Sequence, residues 1–134
     1  MTSGKAPEDQ AIEIGFLEAV RRRLPDHLLV LESLGHLYTA CGRIEDGLQA
    51  DLDLTTRCPE VPLYWYNLAC SHALLGQADA AIRALEEAVT LGYREVEWAR
   101  KDPDLDKIRQ DPRFAGVLKA MADPIGPETH SGQA

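Results

Sequence analysis

The sequence predicts an all-α protein, a short α-solenoid of antiparallel helical hairpins with about two full repeats, a leading half repeat and a C-terminal helical cap. Three observations carry that expectation. The 134 residues hold 45% hydrophobic but only 6% aromatic side chains, a balance that favours small aliphatic packing over an aromatic-rich sandwich. Similar residues recur 34 positions apart, Leu34 and Gly35 returning as Leu68 and Ala69, Gly42 as Gly76, Leu48 as Ile82 and Pro25 as Pro59. On both sides of each central glycine, apolar residues fall at helical spacing.

Taken in chain order, residues 1–8 read as a disordered N-terminus and residues 9–122 as a single domain. The stretch EDQAIEIGFLEAVRRRL supplies the leading half repeat, 9–25. It forms one helix with Ile12, Phe16, Leu17 and Val20 as its apolar face, and Arg21 to Arg23 complement the carbonyl pole at its end. Repeat 1, 28–61, places Leu31, Leu34, Leu37, Tyr38 and Cys41 before Gly42 and Ile44, Leu48, Leu52 and Leu54 after it. Repeat 2, 62–95, places Trp65, Leu68, Ala69, His72 and Leu75 before Gly76 and Ala81, Ile82, Leu85, Ala88 and Val89 after it. Glycine at the end of a first helix, with few residues to spare before the second, demands a tight antiparallel turn. His72, on the apolar face, reads as a core histidine with a satisfied ring nitrogen.

The cap, 96–122, is led in by a shortened helix in REVEWARK. Asp102-Pro103 and Asp111-Pro112 then form two successive helix starts: aspartate accepts from free amides there, and proline suits a first helical position whose donor is not needed. The first start carries Leu105 and Ile108, the second Phe114, Val117, Leu118 and Met121. Residues 123–134, rich in Pro, Gly and small polar side chains, read as a disordered tail.

These spacings resemble the tetratricopeptide repeat family, whose pattern runs Trp, Leu, Gly and Tyr on the first helix, Ala and Phe on the second, and a closing Pro. Leu31, Leu34, Gly35, Tyr38 and Pro59 match it in the first unit, where Gly47 and Asp51 stand at the places of the small residue and the aromatic. Trp65, Leu68, Ala69, Ala81 and Leu85 match it in the second, where His72 replaces the aromatic and Tyr93 the proline. The ending LGYREVEWARKDPDLDKIRQDPRF, together with YNLAC at Tyr66 to Cys70, is similar to a recurrent group of bacterial repeat proteins, in which it closes the array. The resemblance implies a right-handed solenoid whose first helices line a concave groove for a peptide or protein segment. Carried over position by position, that groove presents Glu32, Ser33 and His36, then Tyr66, Asn67 and Cys70, then Arg100 and Lys101. Asn67 offers a donor and an acceptor to an extended backbone, while Tyr66 serves either the groove or the packing between hairpins. The family's carboxylate clamp for chaperone tails is unmatched beyond Asn67, since Glu32 and His36 stand where basic and amide groups are needed.

Other chemistry finds little footing. Asp102, Asp104 and Asp106 match the first three ligand positions of a calcium loop, but Lys107 and Arg113 occupy the places of its turn glycine and its bidentate glutamate. His36 and Cys70 stand one period apart on the two first helices, yet two ligands are too few for a structural zinc. Cys41, Cys58 and Cys70 are odd in number and lack CxxC spacing, so all three are expected to be free thiols. Glu86 and Glu87 are adjacent on a helix and point apart into solvent. No G-x-S-x-G, P-loop or HExxH pattern occurs. A net charge of -8 disfavours nucleic acid, and no apolar run approaches a membrane span or a secretory signal.

The expected function is therefore a cytosolic, non-catalytic protein–protein interaction module, a scaffold or adaptor, without cofactor or metal. Its partner is a protein or peptide not named by the sequence. A second reading is a structural homo-oligomer that self-associates through the bare flank of the leading helix, Phe16 and Leu17. A third is a metal or redox sensor through His36 and Cys70, which requires a thiol of depressed pKa or bound metal.

Overall fold

The computed structural model describes residues 7–123, and every regular element among them is helical. Seven α-helices and one 3₁₀ turn follow in order: α1 (Pro7–Arg23), α2 (Leu28–Ala40), α3 (Ile44–Arg57), α4 (Pro62–Leu74), α5 (Ala78–Thr90), α6 (Val96–Lys101), the 3₁₀ turn Pro103–Ile108, and α7 (Pro112–Ala122). The sequence period is written into the helix bounds. α2 and α4 begin 34 residues apart, at Leu28 and Pro62, as do α3 and α5, at Ile44 and Ala78. Helices α1 to α5 pack successively, α1 on α2 through α4 on α5; α4 and α5 also receive the 3₁₀ turn, and α5 receives α7.

The hairpin turns follow from the glycines. Gly42 and Gly76 sit at φ of 88° and 74°, a left-handed conformation that costs a residue with a Cβ, and each closes the turn between the two helices of a pair. None of α2 to α5 has a side-chain N-cap, so their ends are set by packing. The two expected aspartate caps are present: Asp102 accepts from the Asp104 amide at 3.0 Å and Asp111 from that of Arg113 at 2.9 Å.

Small residues let the helices of each pair approach. Gly35 and Gly47 meet Ala50 and Thr39 across the first hairpin, and the second is closed by the buried Ala69, Ala73, Ala81 and Ala84. Beyond it, Leu105, Ile108, Phe114, Val117 and Met121 enter the same core as Leu85, Ala88 and Val89, so the cap is the other half of the second hairpin's interior. Leu31, Ala50 and Leu54 pack with Tyr64, and Ile14 with Leu34 and Tyr38, carrying the core back to α1.

Several expectations are corrected here. Helix α1 begins at Pro7, inside the stretch 1–8 expected to be disordered; residues 1–6 and 124–134 lie outside the described residues. Its buried residue is Ile14, while Ile12 and Phe16 are 70% and 66% exposed, because α1 offers α2 a narrow stripe and not the face expected. Leu52 is turned outward, since Ala50, Asp51, Leu54 and Thr55 hold the inner face of α3. His72 is half-buried at a helix end, where Nδ1 meets Gln77 Oε1 at 2.7 Å on the exposed side, and it is not a core residue. The three cysteines are free thiols.

Candidate functional site

One open cleft of about 230 Å³ runs across α2, α3, α4 and the segment from α6 into the 3₁₀ turn. From α2 come Glu32, Gly35, His36 and Thr39, and from α3 Asp51 and Leu54. α4 contributes Leu63, Tyr64, Tyr66, Asn67, Cys70 and Ser71, and the C-terminal segment Trp98, Asp102 and Asp104. The i, i+4 pairs Glu32 with His36, Asn67 with Ser71, and Trp98 with Asp102 show that each element turns one helical face to the cleft.

Of the eight groove residues expected from sequence, Glu32, His36, Tyr66, Asn67 and Cys70 line this cleft; Ser33, Arg100 and Lys101 do not. Ser33 is exposed beside it. On α6, Ala99 is buried and Trp98 and Asp102 face the cleft, so Arg100, about 200° round from Trp98, projects elsewhere and pairs with Glu97 at 3.7 Å. The basic wall expected at this end is in fact acidic and aromatic.

Tyr66 belongs to the floor. It is 3% exposed, stacks on Tyr93 at 4.4 Å between ring centroids, and donates its hydroxyl to Asp102 Oδ2 at 2.6 Å. The Cys70 thiol donates to the same oxygen at 3.7 Å. Burial foremost, then the neighbouring Asp102 charge, pushes that thiol well above its ordinary range, while burial and then the Cys70 charge push Tyr66 up as well. Asp102 therefore caps the 3₁₀ turn with one oxygen and anchors α4 with the other. This second role was invisible in the sequence because it joins residues 36 apart across a tertiary contact.

Asp51 is the other missed residue. It is 7% exposed and accepts the Ser71 hydroxyl at Oδ2, 2.6 Å away. Burial raises its pKa from 3.8 to about 6, and the Ser71 hydrogen bond and the nearby His36 and His72 only partly offset that rise. Its signal in the sequence was a carboxylate at the inward position of α3 where the repeat pattern calls for an aromatic. Glu32, on the cleft wall, accepts the Tyr64 hydroxyl, holding α2 to α4. Asn67, half-buried, takes no side-chain hydrogen bond among the described residues and is free to make one.

Ligand atoms of Cys70, Asp102 and Asp104 lie within 4.8 Å of one another, a grouping that omits His36 and Asp106. To hold a cation there, Asp102 would release both Tyr66 and the Cys70 thiol, so the three are a closed hydrogen-bond network before they are a ligand set.

No family model matches the chain, and no solved structure does. A segment of 88 residues, 63% of this chain, is 33% identical to a chloroplastic protein of Arabidopsis thaliana. The chain spans 26% of that protein's length. Among the described residues no helix is long and apolar enough to cross a membrane.

Proposed function

We propose that the chain is a tetratricopeptide-like, right-handed helical-repeat module of the cytosol that holds an extended segment of a protein partner in this cleft and performs no catalysis. The observation that supports this best is Asn67: a half-buried amide on the cleft wall whose side chain bonds to nothing among the described residues, on the helix that the repeat resemblance assigns to the groove. The matching 34-residue offset of α2 with α4 and of α3 with α5 supports the repeat architecture. A photo-crosslinking residue placed at exposed His36, compared with one at Glu86 on α5, tests the reading in extract from the native host. Adducts specific to position 36 and lost with Asn67→Ala are expected. Equal adducts from both positions, or insensitivity to Asn67→Ala, remove the cleft as the working surface.

A second reading is self-association through the flank expected at Phe16 and Leu17; Leu17 instead packs against Ile14, Leu34 and Tyr38, so this reading draws on Phe16 with Ile12, exposed together on α1. Sedimentation at rising concentration tests it: a monomer throughout ends that reading. The sensor reading through His36 and Cys70 loses support, because the Cys70 thiol is raised and not depressed.

A further inference from the structure

We propose that the cleft receives an arginine side chain of the partner segment, a specificity that rests on the reading of the cleft as a peptide groove. Elsewhere on the molecule carboxylates meet guanidinium groups: Asp53 meets Arg21 at 2.6 Å and Arg57 at 2.8 Å, Asp106 meets Arg109 at 2.9 Å, and Asp79 meets Arg113 at 2.9 Å. The cleft breaks this habit. Glu32, Asp51, Asp102 and Asp104 line it, no Lys or Arg among the described residues does, and the carboxylates of three of the four take only neutral donors, the Arg109 guanidinium reaching the Asp102 backbone carbonyl at 2.7 Å and not its side chain. A hydroxyl or amide donor leaves the carboxylate's charge in place, and among the described residues His36 is the one basic side chain on the lining beside the four acids, so the cleft carries an excess of negative charge from three separate elements.

Asp51 points to what compensates it. More than nine-tenths buried on the cleft wall, it has one oxygen, Oδ1, that takes no hydrogen bond among the described residues. With its pKa near 6 it is ionised at neutral pH, and a charged donor arriving in the cleft would meet a carboxylate whose Oδ1 is open to it. Guanidinium suits the walls better than ammonium: it forks onto carboxylates and lies flat on an aromatic face, here that of the half-exposed Trp98.

A displayed library of random heptapeptides, selected on the full chain, tests this. Recovered sequences are expected to carry arginine above its frequency in the unselected pool. Replacing that arginine with citrulline, which keeps its shape and loses its charge, should weaken calorimetric affinity by about tenfold or more. The paired change Glu32→Gln and Asp104→Asn should act similarly on the arginine peptide and leave its citrulline form unaffected. His36→Trp, at an exposed position, fills the cleft and should abolish recovery. Peptides that are lost with His36→Trp yet show no arginine enrichment overturn the charge specificity and leave the groove standing. Peptides that bind His36→Trp as well as wild type, or no recovery at all, overturn both.

Discussion

Two aspartates show how much a single buried carboxylate decides in this molecule. Asp51 has a folded pKa near 6 against an ordinary 3.8, because burial disfavours its charge. The folded chain then binds more protons than the unfolded one between about pH 4 and 6, so this residue's contribution to stability is greatest below the unfolded value and falls as pH rises through 6. Asp51→Asn keeps an acceptor for Ser71 and removes the charge. It should raise stability at pH 7 by about 1–2 kcal/mol and flatten the slope between pH 4 and 6 in urea titrations; a variant as pH-dependent as wild type would place the buried charge elsewhere. Asp102 acts in the other direction. Asp102→Ala removes the cap on the Asp104 amide and strands the Tyr66 hydroxyl in the core, and should cost about 2–4 kcal/mol by the same measurement. Asp102→Asn, which retains acceptors for both, should cost markedly less.

At the scale of the helices, the first hairpin closes through a contact that cannot be read from repeat spacing. A Cβ on Gly47 would stand 2.5 Å from Thr39 Oγ1, a hydroxyl that donates to the Gly35 carbonyl at 3.1 Å. Gly47→Ala should therefore gain nothing in the wild type, because the helix propensity of alanine is offset by displacing Thr39. In a Thr39→Ala background the same change should stabilise by about 1 kcal/mol, and the double-mutant cycle reads the coupling directly. Additivity within error would mean that the two helices do not press on each other here. The helices themselves were legible because their signals are local: glycines 34 apart, aspartate–proline starts and apolar faces at helical spacing. Five of the eight residues expected in the groove, Glu32, His36, Tyr66, Asn67 and Cys70, do line the cleft, because the repeat resemblance carries its first-helix positions along the same 34-residue register. Register failed on short or weakly patterned helices. α6 has six residues, too few for a periodic face, so Arg100 and Lys101 were placed in the cleft when Trp98 holds that side. On α1, the stripe through Ile14 is narrower than the apolar spacing of Ile12 and Phe16 suggested.

Across the whole molecule the two ends of the fold are not equivalent. At the C-terminal end, Leu105, Ile108, Phe114, Val117 and Met121 are each at most 5% exposed and share one interior with the second hairpin. Burial of such side chains contributes about 1.5–3 kcal/mol apiece, so together they match the entire net stability usual for a domain, about 5–15 kcal/mol. At the N-terminal end, α1 gives the core one buried residue, Ile14, and the half-buried Leu17, and otherwise reaches the rest through polar ties: Glu18 to Tyr38 at 2.5 Å and Arg21 to Asp53 at 2.6 Å. These ties are partly exposed, a setting in which ion pairs add little. Truncation from Asp102 onward should thus leave Leu85, Ala88 and Val89 uncovered and yield a chain that binds hydrophobic dye, aggregates and lacks a cooperative melt. Deletion of residues 1–26 should uncover mainly Leu34 and Tyr38 and leave a soluble chain with a cooperative transition at lower temperature. If the N-terminal deletion proves the more damaging in side-by-side thermal melts, the core does not run as described, and the cap is an appendage of the second hairpin and not its missing half.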